Sequence, residues 1–175
     1  MNRGEIKEAY LTMRTANLGD APSIIRMIDE ARARLKKDGV DQWQGADPTE
    51  EEILVDIRGK NTYLFEREGI VATAVLAEGD EPTYRYIDGS WPDDEPYMTV
   101  HRFVVAKNCL GRGMGRRVMR QIKDFAVSRA VDVRIDTHAD NARMRHVIET
   151  SGFEYCGVIT VADGTERIAY QWRRI

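Results

Sequence analysis

Two hydrophobic rhythms alternate along the chain. YLTMRTAN (10–17) is rich in aromatic and β-branched residues and predicts a strand. Ile24, Ile25, Ile28, Ala31 and Leu35 then recur at helical spacing, on a helix that Asp20 is placed to cap and Gly39 to end. The loop DQWQGADP leads to a second helix, opened by a Thr49-x-x-Glu52 capping box and carrying Ile53, Leu54 and Ile57. TYLFERE and IVATAVLAE predict two strands turning at Gly69.

Residues 78–96, EGDEPTYRYIDGSWPDDEP, interrupt the pattern: seven acids against one arginine, three prolines, and aromatic residues at 84, 86 and 91 predict a surface loop, with TYRYI offering a short strand. YMTVHRFVV (97–105) alternates again, with Met98, Val100, Arg102 and Val104 on one face and Tyr97, Thr99, His101, Phe103 and Val105 on the other. After the glycine-rich CLGRGMGRR comes an amphipathic helix to about Arg129, with Val118, Met119, Ile122, Phe125 and Ala126 on its apolar face. VDVRIDTH is a strand and NARMRHVIETSG a helix that turns Met144, Val147 and Ile148 inward. FEYCGVITV and ERIAYQW form a hairpin about Asp163-Gly164. The order β-α-α-β-β-β-α-β-α-β-β predicts an α+β fold, a mixed and mostly antiparallel sheet flanked by about four helices. A length of 175 residues with 42% hydrophobic content suits one domain over 1–175, residues 1–9 being set apart as an N-terminal extension.

Charge narrows the partners. Lys and Arg total 26 against 29 Asp and Glu, so the net charge of -3 gives no global basis for binding nucleic acid or an anionic membrane surface. Two cysteines, Cys109 and Cys156, are too few for a disulfide framework. No apolar run approaches the roughly 20 residues of a membrane span, and MNRGEIKEAYL lacks the hydrophobic segment of a secretory signal. A cytoplasmic protein is expected, and pairing as a homodimer is left open.

The glycine loop carries the local charge. It joins a strand to a helix N-terminus, where free N–H groups and the helix dipole favour an anion, and Gly111, Gly113 and Gly115 permit close approach. Six basic residues and no acid lie from Lys107 to Lys123. A tight turn beside a solvated helix would use the same residues. A nucleoside-triphosphate loop fits poorly, because Arg116-Arg117 stands where a Lys and a hydroxyl are needed. A dinucleotide fingerprint has the last glycine one residue short, although Asp136 on the next strand could serve as its ribose ligand.

In this combination the chain resembles the GNAT superfamily of acyl-CoA-dependent N-acetyltransferases. VHRFVVAKNCLGRGMGRRVMRQIKDFA matches the cofactor strand, loop and helix, and RIDTHADNARMRHVIETSGFEYCG the second motif; the likeness spans almost the whole chain. The loop departs from the family pattern at Leu110, where Gln or Arg is usual. The resemblance implies splayed central strands, with Phe103, Val104 and Val105 lending backbone to the pantetheine arm of acetyl-CoA. It implies amides from Leu110, Gly111, Arg112, Gly113, Met114 and Gly115 on the pyrophosphate, with Arg112, Arg116 and Arg117 complementing its charge. Asn141 would meet the cofactor arm, or simply cap its helix. The activity implied is acetyl transfer to a primary amine of a small molecule or peptide in a ternary complex. An inactive CoA-binding sensor and a nucleotide-binding oxidoreductase are the alternatives.

An alkylamine with pKa near 10.4 is neutral in about one molecule in 2,500 at pH 7, a penalty of roughly 4.6 kcal/mol, so something must take a proton. His101 and His138 are the candidate bases. The glutamate and tyrosine common in relatives fall at Thr99 and Ile148, which can do neither job, and Tyr155 or Tyr170 could replace the acid. Cys156 reads as a small buried hydrophobe. His101, His138 and His146 show no paired ligand spacing, so no metal is expected. The acidic 78–95 segment and DGVDQWQGADPTEEE are expected to form the acceptor mouth, with Trp43, Tyr84 and Trp91 stacking on a cationic amine.

Overall fold

Eight strands and four α-helices make up the computed structural model, which describes residues 11–45 and 47–174; the N-terminal extension expected over 1–9 lies outside them. In chain order these are β1 (Thr12–Thr15), α1 (Ala21–Lys37), α2 (Glu50–Arg58), β2 (Thr62–Glu66), β3 (Ile70–Glu78), β4 (Asp88–Gly89), β5 (Tyr97–Val105), α3 (Met114–Ser128), β6 (Asp132–Thr137), α4 (Ala142–Thr150), β7 (Glu154–Thr160) and β8 (Glu166–Trp172). All eight strands join one sheet in the order β1-β2-β3-β5-β6-β8-β7-β4. Every neighbouring pair is antiparallel except β5 and β6.

Helices cover both faces. Leu64 and Phe65 are neighbours on β2 and fully buried, yet they belong to different clusters, as the two-residue period of a strand requires. Leu64 joins Ile24 and Ile28 of α1 and Ile53 and Ile57 of α2. Phe65 joins Val118, Met119 and Ile122 of α3 and Ile148 of α4. Each such side chain contributes about 1.5–3 kcal/mol through removal from water. The Thr49–Glu52 capping box forms at the start of α2.

Three local expectations are corrected. Asp20 stands at the N-cap position of α1 but its side chain makes no cap hydrogen bond there; Asn17 caps a 3-10 turn at Leu18–Asp20 that runs into the helix, and the Asp20 carboxylate accepts instead from the Asn17 amide at 2.8 Å and from Arg14 at 2.8 and 2.9 Å. TYRYI is not a strand: Pro82–Tyr84 is a 3-10 turn, and the short strand falls at Asp88–Gly89 against β7.

The third correction lies in β5. Thr73 of β3 faces Val104 while Val75 faces His101, so β5 takes three steps against two. The extra residue is a bulge at which Arg102 has φ 48. It reverses the alternation. Phe103 and Val105 pack with Met98 and Val100, whereas Val104 and Arg102 turn to the face of α1 and α2, where Arg102 pairs with Asp56.

Candidate active site

β5 and β6 pair in parallel from Tyr97↔Asp132 to Val100↔Ile135 and no further. β5 runs on to Val105 and β6 to Thr137, so the strands part like a fork. From His101 onward the edge of β5 facing β6 has no strand across from it. Such backbone must find partners elsewhere or in a ligand.

A narrow groove of about 150 Å³ occupies the fork, walled by Phe103, Val104 and Val105 on one side and Asn141, Met144 and Val147 on the other. Leu110 lines it too. Asn141 caps its helix and also lines the groove. Its Oδ1 accepts from Met144 N at 3.1 Å as the cap of α4, and its Nδ2 donates to Gln42 Oε1 at 3.0 Å across the groove.

A basic hollow lies beside the start of α3, lined by Arg112, Gly113, Arg116, Arg117, Arg120 and Lys123. Gly113 (φ 70) is the residue before the helix, and Gly111 has φ 75, the left-handed region that glycine enters without strain. A Cβ on Gly111 would meet no heavy atom within 4 Å, so the loop offers an uncovered backbone. Gly115 serves packing. A Cβ there would come within 3.0 Å of Val147 Cγ2 on α4, so this glycine lets α3 and α4 approach. Met114 is buried in the core beneath the loop.

On the other side of the fork the narrow groove opens into a wider one of about 520 Å³. Gln42, Trp43 and Asp136 line both. Two carboxylates stand near the junction, each with a partner. His101 Nε2 is 3.2 Å from Glu81 Oε2, while Glu81 Oε1 accepts from the Thr83 amide at 3.2 Å and its hydroxyl at 2.9 Å. The hydrogen bond with His101, more than any other cause, lowers the Glu81 carboxyl to about 2. Asp136 Oδ2 accepts from Tyr84 OH at 2.7 Å. Burial raises the Asp136 carboxyl, although the residue keeps a partial opening to both grooves.

The other expected residues scatter. His138 Nδ1 accepts from the Asp140 amide at 3.1 Å, tying the ring to the turn after β6, and it is not among the residues lining either groove. Tyr155 is 62% exposed, edge-on to Tyr170, and lines neither groove. Tyr170 OH donates to Glu149 Oε1 at 3.0 Å. Trp43 lines both grooves, but Tyr84 is 2% exposed and reaches the site only through Asp136. Trp91 leans on Tyr84 and stacks on the protein's own Arg134, 4.1 Å from its ring centroid. Thr99 and Ile148 are buried at 1% and 0%. Burial also pushes the Cys156 thiol up, away from the reactive thiolate.

Sequence reasoning missed Glu81 and Gln42 and weighed Asp136 only as a ribose ligand. A charged residue at the end of an apolar strand was the available signal for Asp136; nothing local marks the other two. Among the described residues no three His, Cys, Asp or Glu side chains group as a metal site, and no helix is long and apolar enough to cross a membrane.

An apolar slot between parted strands, ending at an uncovered glycine backbone ringed by arginine, fits a thioester with a phosphorylated tail. The model of the acetyltransferase (GNAT) family matches residues 28–153. The uncharacterized N-acetyltransferase YesJ of Bacillus subtilis (strain 168) is 24% identical over 144 residues, which cover 79% of this chain and 78% of that one. A solved GNAT-family acetyltransferase from Streptococcus agalactiae shares 31% identity with a TM-score of 0.85, over 94% of this chain and 96% of its own. The structure of yncA from Salmonella typhimurium with acetyl-CoA has a TM-score of 0.65 at 14% identity, over 94% of both chains.

Fold and family together define an acyltransferase. More narrowly, the chain belongs to the GNAT acetyltransferase family.

Proposed function

We propose that this protein transfers an acetyl group from acetyl-CoA to a primary amine of a small molecule or peptide, by direct attack with both substrates bound. The observation that carries the reading is the fork: a narrow apolar groove and a wide polar one meet where β5 and β6 separate. Acetyl-CoA supplies the activated acetyl group as a thioester. Phe103, Val104, Val105 and Asn141 line the slot for its arm, and the loop from Leu110 through Gly115, with Arg112 and Arg116, offers amides and positive charge to its phosphates.

The acceptor enters by the wider groove. Its lining carries Asp41, Asp47, Asp56, Glu81, Asp136 and Asp163 against Arg102, Arg167 and His101, a balance that favours a cation even with Asp56 and Glu81 engaged. Trp43 presents a ring on the same wall. Two groups near the fork can handle the proton an ammonium must lose: His101 beside Glu81, and Asp136 beside Tyr84.

Calorimetry with CoA, followed by thiol release across a panel of primary amines, tests this function. Binding in the micromolar range and thiol release with at least one amine are expected. Binding without release from any amine would make the protein a sensor, and thermal protection by NADH but not CoA would return the oxidoreductase reading.

A further inference from the structure

We infer that Asp136 is the group that receives the proton of the acceptor ammonium, held in place for that task by the hydroxyl of Tyr84. The inference rests on the acetyltransferase reading above and assigns its proton step. Among the described residues, Asp136 is the only titratable side chain that lines both grooves. It lies one residue past Ile135, where β6 last pairs with β5, so its backbone sits at the point where the fork opens. An acceptor nitrogen approaching from the wide groove toward a thioester in the narrow one passes this junction.

Tyr84 explains the buried end of the pair. It is 2% exposed, its ring packs against Trp91 and Tyr97, and its hydroxyl donates to Asp136 Oδ2 at 2.7 Å. A hydroxyl in that environment needs an acceptor, and a carboxylate meets the need while its own rotamer is fixed. Tyr84 is a positioning residue, since it touches Asp136 and not the groove. Four groups act on the carboxylate from the surrounding elements: Tyr84 and Glu81 from the acidic segment, His101 from β5 and Arg167 from β8. Tyr84, His101 and Arg167 favour the charged form, Glu81 and burial the neutral one, and burial dominates, so the carboxyl is raised. His101 is committed elsewhere, with Nε2 on the ionised Glu81.

The ammonium gives one proton to Asp136. As the nitrogen–carbon bond forms and the carbon–sulfur bond breaks, a second proton leaves nitrogen for the departing sulfur, and Asp136 returns the first to water in the wide groove. The net release is one proton per amide.

The test compares wild type, Asp136→Asn, Tyr84→Phe and His101→Asn, with primary amines from n-butylamine to spermidine as probes, between pH 6 and 10. Asp136→Asn keeps the hydrogen-bond acceptor for Tyr84, so it is expected to be no less stable than wild type at neutral pH and to bind CoA within about twofold of it. Its kcat/KM falls about 100-fold at pH 7. At pH 10, where much of the amine is already neutral, the deficit shrinks to less than about tenfold. Loss of the Tyr84 hydroxyl raises the Asp136 pKa, which moves the acidic limb of the Tyr84→Phe profile to higher pH. Carbon-13 NMR of the Asp136 carboxyl in the CoA-free protein is expected to show the same shift, and it is the agreement of the two titrations that a purely structural role would not produce. A deficit in Asp136→Asn that is independent of pH, with alkaline rescue in His101→Asn instead, overturns the assignment. Wild-type turnover with an equally active Asp136→Asn also overturns it and leaves the acetyltransferase reading intact. A wild type that acetylates none of the amines overturns both.

Discussion

The two halves of the β5–β6 seam are built from the same pair of strands and serve opposite ends. In the paired half, Met98, Thr99, Val100, Val133, Arg134 and Ile135 are all 5% exposed or less. Even the charge there is enclosed: Arg134 Nε donates to Gln171 Oε1 at 2.8 Å, and its guanidinium lies between the rings of Trp91 and Tyr97. In the open half His101, Arg102 and Phe103 are only half-buried, and Asp136 faces two grooves. The change occurs within one residue of the last pair, helped by the bulge at Arg102 that turns β5 out of register. Strand pairing satisfies the backbone in one half; in the other it is given up, and side chains hold the shape through Arg102–Asp56, His101–Glu81 and Asp136–Tyr84. Between β5 and β6, sheet pairing stops where the grooves open.

The largest expected effect therefore falls on the paired side. Ile135→Ala removes a side chain 1% exposed from the core shared with α3 and α4, and a loss of about 3 kcal/mol is expected in denaturant unfolding. A loss below about 1 kcal/mol would mean that the seam collapses around the cavity and is less rigid than its burial implies. Gly113→Asp probes the ligand side. It forces φ 70 on a residue with a side chain, costing about 1–2 kcal/mol of stability, and puts a negative charge at the helix start. CoA affinity by calorimetry is expected to fall tenfold or more. Unchanged affinity would move the phosphates away from this loop.

What could be read from the sequence follows the range of the forces involved. The helices, the Thr49–Glu52 box and the glycine loop are local patterns, and all appear where periodicity and capping rules put them. The bulge was invisible because Phe103, Val104 and Val105 are all apolar, so a shift of phase leaves the pattern intact. Asp20 heads α1 without a cap bond because its carboxylate is taken by the Asn17 amide and by Arg14. The roles of Tyr84 and Trp91 depend on Asp136 and Arg134, more than 40 residues away, which no local rule can join. That Gly115 also packs against Val147 could not be read locally, because Val147 lies on another helix.

The smallest expected effect separates the two carboxylates near the fork by the sign of their pH dependence. Glu81 is lowered from 4.5 to about 2, so the stability it contributes is fully present above about pH 4.5 and is lost as the pH falls toward 2. Asp136 is raised, so the folded state favours its protonated form, and its contribution to stability improves as the pH falls through the folded-state pKa. Glu81→Gln should then unfold more easily than wild type at pH 7, by about 1 kcal/mol or less because the pair is partly open to solvent, and the difference should narrow below about pH 4.5 and close only as the pH falls toward 2. Asp136→Asn should be as stable as wild type or more so at pH 8, with that margin shrinking as the solution is acidified. Urea unfolding at several pH values reads both curves. Parallel curves for the two variants would show that both carboxylates support the fold in the same way, and that burial of Asp136 does not oppose its ionisation.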